Sequence, residues 1–338
     1  MDNAERKVFW DTLKTLKGVD IKTESEELLK TIKCPRYLYR YRSVNTNSLE
    51  ALRTNKTYYS SANYFDDPFD TFLNIDINGI VNEIIQEIKD PDYIQQFLTE
   101  LNKENYRPLL QSIGIMQGMP LTYENLLELF TPEHLKQLTN NLGEFRNIIK
   151  SDTWSICFSE DGFNETLWLK YADQHKGFAL IYDMDADEDF FCFKKEACKN
   201  CKNGQNFPSL YPLYYSNEHY DATKFAQFMM KRILEDRLHK PGLLDRILPV
   251  SNQQAWERER ISLIKKECHH YDKEWRMIVT DSPNSYPFLK WKPSGVILGL
   301  KMKTAEQNLV ISLAKQAGIE KIYKSVITNE GILDANRI

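Results

Sequence analysis

Nine consecutive residues, Tyr271 to Val279, constrain this chain more than any other stretch, because as an extended strand they sort into two chemically distinct faces. Side chains alternate along a strand, so Trp275, Met277 and Val279 fall on one side and Asp272, Glu274 and Arg276 on the other. A sheet that buries the apolar side must present two carboxylates and a guanidinium, about 7 Å apart at each i to i+2 step. The segment therefore reads either as the rim of an active site or as an exposed strand face.

The rest of the chain can supply a core for such a sheet. At 338 residues and 42% hydrophobic content, one large domain or two ordinary ones is expected. A net charge of -4, from 44 basic and 48 acidic residues, argues against a protein built to coat nucleic acid but leaves room for a local basic groove. No apolar run follows Met1 to Lys7, and no later stretch has the length a bilayer span requires, so a soluble, cytoplasmic protein without a membrane partner is expected. Cysteines 34, 157, 192, 198, 201 and 268 form no regular framework and are expected as reduced thiols. Cys198 and Cys201 have the spacing of half a zinc site, but no second pair completes a tetrahedral set, and a lysine-flanked loop is the simpler reading.

Periodicity divides the chain into a leading region, 1–36, with helices from Glu5 to Lys17 and Glu24 to Lys33; a core, 37–77 and 151–338; and a helical insertion, 78–150. Within the core, Tyr37 to Arg42 alternates as a strand, with Leu38, Arg40 and Arg42 opposite three tyrosines. A helix capped at Asn47 or Ser48 and a strand from Thr57 to Ser60 follow. Trp154 to Phe158, a helix entered at Asn164 and Phe178 to Tyr182 make a β-α-β unit. Leu210 to Tyr215 is extended, two helices are expected at about 218–239 and 251–268, and strands at Val296 to Leu300 and Lys321 to Tyr323 flank a helix from Thr304 to Ala317. Irregular interleaving of strands and helices points to an α+β fold, a mixed, mostly antiparallel sheet decorated by helices.

Four stretches in order carry a resemblance: Leu38 to Arg42; Tyr64-Phe65-Asp66-Asp67-Pro68-Phe69-Asp70; Cys157-Phe158-Ser159 with Trp168, Tyr171, His175 and Gly177; and Glu274-Trp275-Arg276. Together they resemble the uncharacterised bacterial domain-of-unknown-function family 2971, over most of the chain outside the leading helices and the insertion. Where that family usually has a second glutamate two residues before the last, this chain has Asp272, which keeps the carboxylate and shortens its reach. The layout is also similar to that of the ADP-ribosyltransferase superfamily. That similarity implies an early basic residue holding NAD, an aromatic ring stacked on nicotinamide, and a late glutamate on the ribose. Breaking the glycosidic bond generates an oxocarbenium-like sugar, which a preorganised carboxylate at Glu274 would favour by about 3 kcal/mol.

The residues themselves leave alternatives open. A guanidinium fork can clasp a phosphate, so Arg40, with Arg42 on the same face, is the candidate anchor; the alternative is that both pair with Asp66, Asp67 or Asp70. Tyr58 and Tyr59 are candidates for a stacking wall, one ring facing inward. The Asp66 to Asp70 segment reads as a turn whose Asp67 and Asp70 could hold Arg40 from behind. Arg276 shares the Glu274 face and supports the same site. His175, at a helix end before Gly177, is either an anion contact favoured in its protonated form or a capping histidine. Adjacent His269 and His270 lack the spacing of a metal site, and no Walker, Rossmann or GxSxG pattern occurs.

The sequence thus leads to a nucleotide-binding effector that cleaves NAD or transfers ADP-ribose to protein, nucleic acid or water, as a toxin or in antiphage defence. Glu274 and Asp272 are its catalytic candidates. No cofactor and no metal is expected, NAD being a substrate. Two other classes remain: an inert sensor holding a nucleotide or a phage component, and a nucleic-acid binder using Lys194, Lys195, Lys199 and Lys202.

Overall fold

The computed structural model describes residues 1–103, 122–124, 140, 144–185, 210–239, 241–242, 244–245, 255–279 and 287–338. They fall into two compact units: Met1–Thr71 with Lys150–Glu218 and Arg258–Ile338, and Phe72–Ile149 with His219–Glu257.

The first unit is built on a mostly antiparallel sheet. Its strands are β1 (Tyr37–Arg42), β3 (Ser60–Ser61), β4 (Trp154–Ser159), β5 (Phe178–Asp183), β6 (Tyr211–Pro212), β9 (Glu274–Val279), β11 (Gly295–Leu298), β12 (Lys321–Ile327) and β13 (Leu333–Arg337). They run in the order β13-β12-β11-β5-β1-β4-β9-β6, with β3 beside β4. The parallel pair β11/β12 is joined through the helix Thr304–Gln316, the crossover that parallel neighbours require. All four residues of β11 are buried, as expected for a strand covered on both faces. The β-α-β unit read from the sequence is present as β4, the helix Glu165–Tyr171 and β5. The early strand β1 lies between its two strands, antiparallel to both.

That insertion positions the site. β1 and β4 pair at Tyr39↔Ser159, whereas the other end of the same β4 edge pairs with β3 at Ser60↔Ser155 and Ser61↔Trp154. Between the two pairings the sheet has a gap, with Arg40–Arg42 on one side and Ile156–Phe158 on the other. Behind β1, the tyrosine face packs as alternation requires: Tyr41 meets Trp168 edge to face, in a cluster with Leu167, Ala172, Ala179 and Ile297.

The leading helices, Asn3–Thr15 and Ile21–Leu29, belong to this unit and do not stand apart as a separate 1–36 region. Arg6 is buried and donates to the carbonyls of Leu213 (2.7 Å) and Glu274 (2.9 Å) and to Glu160 Oε1 (2.6 Å), which ties the first helix to the start of β9. The helix expected near Asn47 is capped by Asn45, whose side chain accepts from the Ser48 amide. The long helix expected at 251–268 is the largest departure. Among its described residues only Glu257–Ser262 is helical; Ile264–Lys265 (β8) pairs in parallel with Tyr214–Tyr215 (β7), and Glu267–Asp272 is a 3₁₀ helix. Helical spacing in a charged run cannot register the contacts that hold Lys265 extended.

The second unit contains the helices Ile77–Ile88, Pro91–Leu101 and Thr223–Leu238. Glu83 accepts from Lys224 (2.9 Å) and Gln227 (2.6 Å), and this unit joins His219–Glu257 to Phe72–Ile149. Most of 104–139 and the segment holding Cys192, Cys198, Cys201 and the four candidate lysines lie outside the described residues. Among the described residues no helix is long and apolar enough to cross a membrane.

Candidate functional site

A cavity of about 290 Å³ opens at the gap in the sheet. Consecutive residues line it on both sides, Tyr39–Arg42 from β1 and Cys157–Ser159 from β4, which an intact pleated sheet would not allow. Directly opposite residues on paired strands share a face, so Tyr39, Ser159 and Glu274 point one way and Arg40 the other. The gap brings both sets to one space: Arg40, Arg42, Asp272, Glu274 and Arg276 all line the same cavity.

On the β9 side the charges form a closed network. Glu274 and Arg276 are 6% and 1% exposed, which settles their strand face as a cleft wall and not a solvated surface. Asp272 precedes the strand, at the end of the 3₁₀ helix. Lys273, at φ 43°, separates it from β9, yet its carboxylate is buried in the same cavity. Arg276 grips Asp70 with both terminal nitrogens (2.7 and 2.5 Å) and donates from Nε to Glu274 Oε1 (2.7 Å). Lys265 Nζ lies 2.8 Å from Asp272 Oδ2, 3.0 Å from Glu274 Oε2 and 3.8 Å from Asp70 Oδ2. Burial alone would raise the Glu274 pKa, but the two cations hold its carboxyl well below the usual range. The same carboxylates drive Lys265 upward against its burial, so it stays an ammonium and cannot act as a neutral amine nucleophile.

On the β1 side the charges are not matched. Arg40 is buried, Arg42 half-buried, and among the described residues no carboxylate lies within 4.0 Å of either guanidinium. Arg40 Nη2 donates to the Tyr58 carbonyl at 2.9 Å. Burial lowers the Arg40 pKa, and burial with Arg40 as a neighbour pushes Arg42 down to about 9. Both remain protonated at neutral pH, so the shifts express an unmet demand for negative charge. The five carboxylates lining the cavity cannot meet it, because each is engaged elsewhere: Asp66 with Lys170, Asp67 with His269, Asp70 and Glu274 with Arg276 and Lys265, Asp272 with Lys265. The alternative that Arg40 and Arg42 pair with Asp66, Asp67 or Asp70 is therefore not the arrangement found, and Asp70 supports Arg276 instead of Arg40.

Other sequence candidates lie elsewhere. The strand expected from Thr57 to Ser60 is two strands broken at Tyr59, and the first, β2 (Lys56–Tyr58), pairs with Phe288–Lys290 (β10) rather than with β1. Tyr58 turns its ring onto Phe288 (5.7 Å), and neither Tyr58 nor Tyr59 lines the cavity; the aromatic side chains that do include Tyr64, Phe65 and Tyr171. His175 lies past the helix end, in a turn where Asp173, Gln174 and His175 all have positive φ. Its ring stacks on Trp168 at 5.9 Å, and burial together with Lys301 lowers its pKa, the reverse of the protonated anion contact expected. His269 and His270 sit in the 3₁₀ helix, and no metal-holding cluster occurs among the described residues.

Sequence reasoning missed Lys265, Ser155 and the part Cys157 plays. A signal existed for the serine and cysteine: Ser155, Cys157 and Ser159 alternate with Ile156 and Phe158 and so form a polar strand face. Nothing local marked Lys265. Burial, with the Glu274 carboxylate nearby, pushes the Cys157 thiol up to about 12. At pH 8 it is a thiol, so iodoacetamide is expected to label the exposed Cys268 and spare Cys157; peptide mass spectrometry reads the contrast, and equal labelling would contradict this geometry. Comparison of the chain with family models, curated proteins and solved structures finds no match, so its own residues alone say what the site can do.

Proposed function

We propose that this protein binds a nucleotide in the cavity at the sheet gap, with phosphate held by Arg40 and Arg42. One observation carries the reading: the two guanidiniums line the cavity without a carboxylate partner among the described residues, while every carboxylate there is engaged with another side chain. A phosphate supplies the missing charge and matches the guanidinium fork. At about 290 Å³ the cavity lies at the small end of ligand pockets, which run from roughly 300 to 1,000 Å³, so it suits a compact ligand such as one nucleotide unit.

The narrower reading, NAD cleavage or ADP-ribosyl transfer in a toxin or antiphage system, rests on Asp272. Its carboxylate is buried at the cavity wall, with Oδ2 2.8 Å from Lys265 Nζ and Oδ1 without a hydrogen-bond partner. Glu274 is less suited to stabilise a ribosyl cation than its position suggests, because Lys265 and Arg276 already compensate its charge. Incubating the protein with NAD and following free nicotinamide tests this. Turnover that falls at least a hundredfold in Glu274→Gln supports an enzyme; binding without turnover identifies a sensor, and no nucleotide binding at all ends the proposal. Binding to single- or double-stranded nucleic acid that weakens steeply with salt would favour the basic-loop alternative instead.

A further inference from the structure

Tyr39 points away from Arg40, and on its side of the sheet a groove of about 210 Å³ opens across β1, β5, β11, β12 and β13. Directly opposite residues share a face, so two rows run side by side there, Tyr39–Ile181–Gly295–Lys321 and Tyr41–Ala179–Ile297–Tyr323–Arg337. The helix Glu165–Tyr171 covers part of the second row, packing Leu167 and Trp168 onto Tyr41, Ala179 and Ile297. The first row forms the groove, and Gly295 keeps its floor low: a Cβ there would stand 3.1 Å from Ile181 Cδ1. The walls are the half-buried rings of Tyr37, Tyr39, Phe163 and Tyr323. Burial raises the Tyr39 pKa, with Tyr37, Asp161 and Tyr323 as near neighbours, so three phenols converge on one space.

The charges beside the groove are unequal. Asp183 lies 3.6 Å from Arg36, which also backs the Tyr37 ring at 5.0 Å, and Asp161 lies 3.3 Å from Lys273, so both acids are already countered. Lys321 and Arg337 are exposed, and among the described residues no carboxylate lies within 4.0 Å of either. From Pro287 to Ile338 there are eight basic residues against four acidic ones, a basic segment in a chain of net charge -4. Rings in a row beside uncompensated cations match a chain of bases joined by phosphates: stacking holds any base, and lysine and arginine take the phosphates. Rings on β1 and β12 stand three strand spacings apart, about 14 Å, a span for the two or three bases that aromatic sheet platforms hold. A proline-rich peptide also docks on aromatic grooves, but it offers nothing to the two cations. We infer that this groove binds single-stranded nucleic acid, with bases stacked on Tyr37, Tyr39 and Tyr323 and phosphates on Lys321 and Arg337. The site shares only Tyr39 with the cavity at the sheet gap among the described residues, and the inference does not depend on the nucleotide reading.

Fluorescence anisotropy of labelled oligothymidylate and oligouridylate, each about twelve nucleotides long, titrated with the full chain tests it. At least one is expected to bind, the tighter of the two naming DNA or RNA as the source, and a duplex of the same length should bind at least about tenfold more weakly because its paired bases cannot reach the rings. Tyr323→Leu should weaken single-strand binding about tenfold, the effect of one lost stack. Lys321→Gln should reduce the slope of log affinity against log salt by about 0.7, the single-strand value for one phosphate contact. If Tyr323→Leu does not fold, Lys321→Gln, at an exposed position, decides. Single-strand binding that both variants leave unchanged would place the nucleic acid elsewhere and overturn the inference. So would equal affinity for the duplex, no binding of either oligonucleotide, or a groove that takes an oligoproline peptide in their place. Each of these failures leaves nucleotide binding at Arg40 and Arg42 standing, because those residues line the other cavity.

Discussion

Arg276→Met is expected to lower the stability of the first unit by about 3–5 kcal/mol, the usual effect of removing one member of a buried ionic network. The arginine is 1% exposed, and among the described residues its guanidinium is the bidentate partner of Asp70 and, with Lys265, a cation on Glu274. Methionine fills much of the volume but leaves the buried Asp70 carboxylate with the Thr71 hydroxyl at 3.1 Å and Lys265 3.8 Å away, and strands the Ser262 carbonyl that Arg276 Nη1 now meets at 2.8 Å. Arg276→Lys should recover part of the loss, because it restores charge without the fork. The pH dependence separates this network from ordinary packing. Glu274 has its pKa lowered in the folded protein, while an unfolded glutamate titrates near about 4.3, so the unfolded state takes up the proton first as the pH falls. The Glu274 contribution is therefore fully present above about pH 5 and is lost progressively below it. Urea unfolding at pH 7 and pH 4 should show that loss in the native chain and a smaller one in Arg276→Met. An Arg276→Met variant as stable as the parent would mean that the network does not hold the site together.

The two-faced strand was legible because both conditions it needs are local. Alternation places Trp275 and Met277 against Glu274 and Arg276, and burial of both faces makes the polar one a cavity wall. Asp272 was assigned to that wall by the same alternation and reaches it by another route, through a 3₁₀ turn and a left-handed Lys273. The shared cavity was anticipated from the pairing of early arginines with late acids, but its origin was not. A gap in a sheet depends on where β1 and β3 meet β4, a register set by contacts more than ninety residues apart in sequence, and no local pattern encodes it. Tyr58 was expected beside β1 for the same reason that it lies beside β10: a three-residue strand carries no information about its partner. Lys265 fell unmarked within the helix expected at about 251–268, since only the assembled fold puts Asp70, Asp272 and Glu274 around it.

Arg40→Met should behave in the opposite sense from Arg276→Met, and that contrast is the sharpest test of what the cavity is for. A buried cation without a counter-charge costs several kcal/mol of desolvation, and the hydrogen bond Arg40 makes to the Tyr58 carbonyl returns only about 1 kcal/mol. Methionine removes the charge, keeps most of the apolar stem and relieves Arg42 of a like-charged neighbour, so without ligand the variant is expected to be about 1–2 kcal/mol more stable than the parent. Binding should fall at least about a hundredfold, since a phosphate loses a charged, two-pronged partner. Urea unfolding with and without AMP reads both effects in one experiment. Ligand at 100 times its dissociation constant should raise parent stability by about 2.7 kcal/mol and leave Arg40→Met almost unmoved, so the order of stability reverses when nucleotide is added. A group retained at a cost to the free protein and repaid only in the complex is a functional group. If Arg40→Met is destabilised without ligand as strongly as Arg276→Met, Arg40 is part of the scaffold, and the observation that carries the nucleotide proposal has a structural explanation.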